Sequence, residues 1–108
     1  MRAIKRTIQF KRDYKREKRK RHGLTLDNDL LKVIELLAMN ARLPERMRDH
    51  ILIGDWKDHR DCHIKPDLVL IYRKTNPNTL ELVRLGSQVN LVYNFLLPIQ
   101  VMTVMETT

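Results

Sequence analysis

Two short breaks in the middle of this chain restrict what it can fold into. Lys65-Pro66-Asp67 and Asn76-Pro77-Asn78 each set a proline, whose ring fixes φ, beside residues whose side chains close turns on their own backbone. Around them run segments rich in β-branched and aliphatic residues, at about 56–64, 68–74 and 79–85. Short strands joined by tight turns pair with their neighbours, so this region is expected to form a three-stranded antiparallel meander.

Side chains alternate across a strand with period two. Along 56–64 this places Lys57, His59, Asp61 and His63 on one face, and Trp56, Cys62 and Ile64 on the other, with Arg60 among them. The first face is charged and wet, the second mostly packed.

The segments before the meander carry other periods. Residues 3–9 alternate Ile4, Arg6 and Ile8 against Lys5 and Thr7, as expected for a short strand at a sheet edge. Residues 10–22 favour helix by composition, with Phe10 and Tyr14 as apolar anchors and Gly23 placed to stop it. A second helix is expected over 24–41, capped by Asp27, with Leu30, Ile34, Leu37 and Ala41 as a buried stripe helped by Leu31 and Ala38. Leu43-Pro44 ends it, and the loop 45–55 brings His50 beside Asp49.

Composition matters here mainly through charge. The net +8 is uneven: residues 1–22 hold eleven Lys or Arg against Asp13 and Glu17, so the remainder is nearly neutral. A solvated face is the ordinary reading of such a run. Its density favours an RNA partner, because neutralised phosphates release counterions, and Lys11, Arg12, Lys15, Arg16, Lys18 and Arg19 are the expected contacts, with Lys57 from the meander.

With 108 residues, 43% of them apolar, the chain suits one small domain. A single cysteine, Cys62, excludes an internal disulfide, and the four histidines make no zinc pattern with it. The first 22 residues are too charged for a signal peptide. The apolar stretch 91–105, interrupted by Asn94, Pro98, Gln100 and Thr103, is shorter than the roughly 20 residues that span a bilayer. A cytoplasmic protein without a membrane segment is expected.

Residues 43–87, LPERMRDHILIGDWKDHRDCHIKPDLVLIYRKTNPNTLELVRLGS, resemble the YafQ-type branch of the RelE/ParE toxin superfamily. The shared pattern is a loop histidine at His50, Gly54-x-Trp56, Arg60-Asp61-x-His63, the Pro66-Asp67 turn, an apolar strand ending Ile71-Tyr72, and Arg84-x-Gly86. The resemblance implies an α+β fold: a twisted antiparallel sheet of about four strands with two N-terminal helices packed on it, over residues 1–91, before an atypical apolar extension over 92–108. It implies the toxin of a bacterial type II toxin–antitoxin pair, a metal-independent, ribosome-associated mRNA endoribonuclease that inhibits translation. No cofactor is implied, and the partners would be a cognate antitoxin, the ribosome and mRNA.

Carried over by that resemblance, the functional positions are His50, Asp61, His63, Asp67 and Arg84. Cleavage needs a base for the ribose 2′-OH, cations for the phosphorane charge and an acid for the leaving 5′-oxygen. Imidazoles can move both protons near neutral pH, and an arginine fork suits phosphate oxygens.

The chain departs from the family pattern after Gly86. Gln88 stands where a catalytic histidine is expected, and an amide hydrogen-bonds to phosphate but does not titrate. Val92 stands where an aromatic is expected. Losing one acid-base group costs roughly 100- to 10,000-fold in rate, so a catalytically impaired relative that only binds ribosome, RNA or antitoxin is the alternative reading. The gyrase-directed branch of the superfamily lacks the set that His50, Asp61 and His63 form here.

Overall fold

The computed structural model describes residues 2–52 and 56–87. Gln88 and the extension 92–108 lie outside the described residues. The elements run β1 (Ala3–Arg6), α1 (Ile8–Lys18), α2 (Gly23–Ala38), a 3-10 turn (Glu45–Met47), β2 (His50–Ile51), β3 (Arg60–Lys65), β4 (Leu68–Asn76) and β5 (Thr79–Gly86).

The meander is present as β3, β4 and β5, joined by two-residue turns at Pro66-Asp67 and Pro77-Asn78. The Asn76 side chain accepts the Asn78 amide at 2.8 Å, the local closure that makes asparagine a turn residue. The first strand is shorter than expected. It starts at Arg60, and Trp56 to His59 form a turn before it, so Lys57 and His59 leave the face assigned to them. His59 instead sits edge-on against Trp56, with ring centroids 4.7 Å apart.

Among the described residues the sheet is mixed and has five strands in the order β1-β5-β4-β3-β2, rather than antiparallel with about four. The added strand is the two-residue β2, whose His50 and Ile51 pair with Asp61 and Arg60. The mixed character comes from β1, which runs parallel to β5 at the sheet edge. An intervening helix pair carries the chain back across the sheet, and that path allows the parallel pairing.

Beyond Leu82, no strand among the described residues lies on the outer side of β5, and α1 takes over. Thr7 caps α1 by accepting the Phe10 amide, and its hydroxyl donates to Val83 O at 2.7 Å. Asp13 accepts the Leu85 amide at 3.0 Å, and Arg16 donates to Leu85 O at 2.8 Å. Polar groups of the helix thus satisfy an edge that would otherwise be open.

This explains why α1 buries acids. Besides Phe10 its buried positions are Asp13 and Glu17, a stripe spaced for one helix face. Arg16, expected as an RNA contact, is half-buried and bridges Asp13 and Glu17.

The second helix starts and stops earlier than expected. Gly23 opens α2 rather than closing α1, and Asp27 lies inside the helix, where it accepts from Tyr14 and pairs with Lys18. A Cβ on Gly23 would meet Lys18 O at 2.0 Å, so close backbone approach at the α1–α2 corner requires the glycine. Asn40 stops α2 with φ 58, while the amides of Ala41 and Asn40 return to Leu36 O and Leu37 O in a Schellman motif.

The buried stripe of α2 is Leu26, Leu30, Val33 and Leu37 with Ala38; Ile34 is only partly buried and Leu31 exposed. It packs with Phe10 on Cys62, Ile64, Leu68, Leu70, Tyr72, Leu80, Leu82 and Leu85, the helix face of the sheet. On the other face Val69, Ile71 and Val83 lie under Leu52 and Trp56. That second face carries Asp61 and His63.

Candidate active site

Strand register builds the site. His50 opposes Asp61, Asp61 opposes Ile71, and Ile71 opposes Arg84, so four strands present one row across the sheet. His63 lies two residues along β3 from Asp61 and shares its face, about 7 Å away along the strand. His50, Asp61 and His63 are therefore brought together.

The hydrogen bonds of each imidazole decide what it can do. His50 Nδ1 is 2.7 Å from Arg48 O, and a carbonyl only accepts, so Nδ1 is the donor and the neutral ring has its lone pair on Nε2. Arg48 can present that carbonyl because its backbone is left-handed, at φ 49 and ψ 43. Asp61 Oδ1 lies 2.9 Å from the same Nδ1 but off the N–H direction, and it receives no aligned hydrogen bond among the described residues. The carboxylate is placed to attract an imidazolium rather than to orient the neutral ring.

Burial raises the Asp61 pKa, and the nearby His50 and His63 oppose that rise. Arg60, the neighbour that could have neutralised Asp61, points to the other face. There it pairs with Asp49, which also accepts from the Tyr72 hydroxyl at 2.6 Å. Alternation alone separates the two carboxylates' partners.

His63 repeats the arrangement of His50. Its Nδ1 is 3.3 Å from Pro66 O, which again leaves Nε2 outward. The next residue, Asp67, is held by His22 Nε2 at 2.7 Å and lies 3.5 Å from Arg21. The hydrogen bond from His22, with Arg21 adding charge, lowers the Asp67 pKa. His22 and Arg48 were not singled out in the sequence: the first looked like the end of a basic run, and a left-handed arginine has no local signature.

Arg84 is in the row but turned out of the cluster. It is 7% exposed, and its fork closes on Asp13, with Nε to Oδ2 at 2.6 Å and Nη2 to Oδ1 at 3.1 Å. A charge so enclosed needs a paired acid, so the fork expected on phosphate is engaged by α1. The exposed cations Lys11, Arg12, Lys15 and Lys18 are on that same helix, with Arg19 at its C-cap, and the helix packs on β5 with β4 between it and β3. The structure does not bring them to the histidines. Lys57 is exposed in the turn before β3.

Among the described residues no group of three or more His, Cys, Asp or Glu is placed to hold a metal ion. Cys62 is fully buried, and burial pushes its thiol pKa up, away from thiolate chemistry. What the face offers is two imidazoles whose Nε2 atoms have no partner among the described residues, beside a carboxylate, a set suited to moving protons on and off oxygen.

The chain is similar to known proteins along most of its length. A Haemophilus influenzae protein that bears the YafQ name is 40% identical over 65 residues, 60% of this chain and 64% of that protein, so the match spans just under two thirds of it. The mRNA interferase toxin YafQ of Escherichia coli K12 is 35% identical over 75 residues, 68% of this chain and 82% of that one. In the crystal structure of the E. coli DinJ-YafQ complex, a chain 35% identical superposes with a TM-score of 0.71, covering 84% of this chain and 98% of its own length. The family model described as the bacterial toxin of type II toxin-antitoxin systems, YafQ, matches residues 2–93. This chain belongs to the YafQ family of toxins.

Proposed function

We propose that this protein is an mRNA endoribonuclease that cleaves message on the ribosome, in the cytoplasm, without a metal, and is silenced by a cognate antitoxin. The observation that carries the reading is His50: its Nδ1–H is committed to Arg48 O, its Nε2 has no partner among the described residues, and Asp61 stands ready for the charge the ring gains. The relative named mRNA interferase toxin YafQ and the DinJ-YafQ complex support the substrate and the kind of partner.

In this mechanism His50 Nε2 takes the proton from a ribose 2′-OH, and the 2′-oxygen attacks the adjacent phosphorus. The P–O5′ bond breaks as a proton reaches the 5′-oxygen, leaving a 2′,3′-cyclic phosphate and a free 5′-OH. His63, when protonated at Nε2, is the proton donor on the same face. Asp61 stabilises the imidazolium at His50, the role an acid plays behind a catalytic histidine. Asp67, fixed by His22, holds the β3–β4 turn that carries the Pro66 carbonyl against His63. Gln88 can hydrogen-bond to a phosphate oxygen without moving a proton.

The second reading, a binding-competent but impaired toxin, is favoured by Gln88 alone. Primer extension on a reporter mRNA after induction separates the two. The nuclease reading expects codon-phased cuts with the wild type, abolished by His50→Ala or His63→Ala while antitoxin binding is retained. Cuts seen only with Gln88→His would leave the impaired reading in its place, and cuts that survive both histidine substitutions would remove these residues from the mechanism.

A further inference from the structure

The cations nearest the histidines are not those of the basic helix. Arg46 and Arg48 lie on the segment between α2 and β2, and both are exposed. The arginines of β3, β4 and β5 are each tied to a carboxylate: Arg60 to Asp49, Arg73 to Glu81 and Arg84 to Asp13. Neither Arg46 nor Arg48 has a side-chain hydrogen bond or ion pair among the described residues.

These two arginines share walls with the site. Together with His63 and Pro66 they line an open cleft of about 390 Å³. Arg46 and His63 also line an adjoining cleft of about 270 Å³ with Lys32 and Lys65, where the one acid among the described residues, Asp29, is paired with Lys65. On the far side of the loop, Arg48 lines a cleft of about 670 Å³ with Arg42, Arg60 and Lys74. Of the two acids there, Asp49 is engaged by Arg60 and Tyr72, and Glu45 is exposed. Arg48 stands between the two sides, in the left-handed conformation that also aims its carbonyl at His50.

We infer that Arg46 and Arg48 form a phosphate clamp for the RNA strand beside the cleaved bond, with the strand running over the 42–48 loop towards Lys74 rather than along α1. Planar guanidinium forks match phosphate oxygens in pairs, and free ones beside an imidazole with an outward Nε2 are placed for a phosphodiester. An acidic peptide would also meet these cations, but it would have no use for His63. The inference rests on the ribonuclease reading for its RNA substrate, not for the cleavage step.

The test is anisotropy titration of the purified protein with a short single-stranded RNA carrying 2′-O-methyl riboses, which cannot be cut, at several salt concentrations. Each phosphate contact contributes about 0.7 to the slope of log affinity against log salt for a single strand. Arg46→Ala and Arg48→Gly should each lower that slope by about 0.7, Arg48→Lys should keep it, and Lys5→Ala, which removes an equal charge at the opposite edge of the sheet, should leave it unchanged. Glycine accepts the left-handed backbone at 48, and Arg46 is exposed, so both variants retain the fold. Wild-type slope and affinity in both variants would overturn the clamp. Unchanged RNA binding with weakened antitoxin capture would assign these arginines to the protein partner and overturn it as well. A wild type that binds this RNA but never cuts natural mRNA would remove the nuclease reading and leave the clamp standing.

Discussion

Breaking the Asp13–Arg84 pair is the most informative perturbation, because it separates folding from catalysis. The Asp13 carboxylate is 1% exposed and receives Arg84 Nε at 2.6 Å, Arg84 Nη2 at 3.1 Å, Leu85 N at 3.0 Å and Arg16 Nη1 at 2.8 Å. Asp13→Ala leaves a buried guanidinium without its carboxylate, which costs about 3–5 kcal/mol. The orphaned Leu85 amide adds roughly 1–3 kcal/mol if counted alone. The two losses share one network and do not add, so about 4 kcal/mol in total is expected. A domain of this size holds about 5–15 kcal/mol, and each kcal/mol moves Tm by about 4–8 °C. Asp13→Ala should therefore lower Tm by about 15–30 °C.

Urea and thermal unfolding followed through the single tryptophan, Trp56, read the free-energy loss and the Tm. The double variant Asp13→Leu with Arg84→Met should recover most of the loss, since a buried ion pair replaced by apolar groups of similar volume is often neutral. If Arg84→Met alone keeps the wild-type midpoint yet abolishes mRNA cleavage, the structural account of Arg84 is wrong and its fork belongs to the phosphate.

Asp61→Asn should raise stability at neutral pH by about 0.5–2 kcal/mol while lowering cleavage, because the site holds a carboxylate whose ionised form burial disfavours. The sign follows from the raised folded pKa: the native state keeps its proton longer than the unfolded chain. The wild type therefore loses ground to the Asn variant as pH climbs from about 4 through that raised value. Asp67 has the opposite sign. Its folded pKa is lowered by His22 and Arg21, so its contribution is present above about pH 4 and is lost as pH falls through the folded value. Asp67→Asn or His22→Ala should erase that acid-side slope in urea titrations over pH 2–6. Gly23→Ala should destabilise by about 1–3 kcal/mol, since the added methyl cannot coexist with Lys18 O at 2.0 Å; an unchanged midpoint would mean that the α1–α2 corner opens freely.

Much of the fold was legible because it is written locally. The prolines at 66 and 77 and the asparagine at 76 closed the hairpins where expected, and period two sorted Asp61 and His63 from Cys62 and Ile64. Helical spacing located α2, though not its rotation: Leu26 and Val33 are buried where Leu31 and Ala41 were expected. Spacing gives a stripe within about one residue, and only the shape of the facing sheet selects among adjacent stripes. The end of α2 could have been read from Asn40, a residue that tolerates the left-handed region.

By itself the sequence determined the strands of the meander, the existence of two helices and the common face of Asp61 and His63, since each depends on chain chemistry within a few residues. Tertiary structure decided the rest. The partner of Arg84 is 71 residues away, β1 pairs in parallel across both helices, and His22 reaches Asp67 over 45 residues. Which nitrogen of His50 is free depends on a carbonyl that a left-handed arginine turns towards it. Such contacts arise when burial forces charged and polar groups to find partners, and the partner is whatever the packed chain brings within reach.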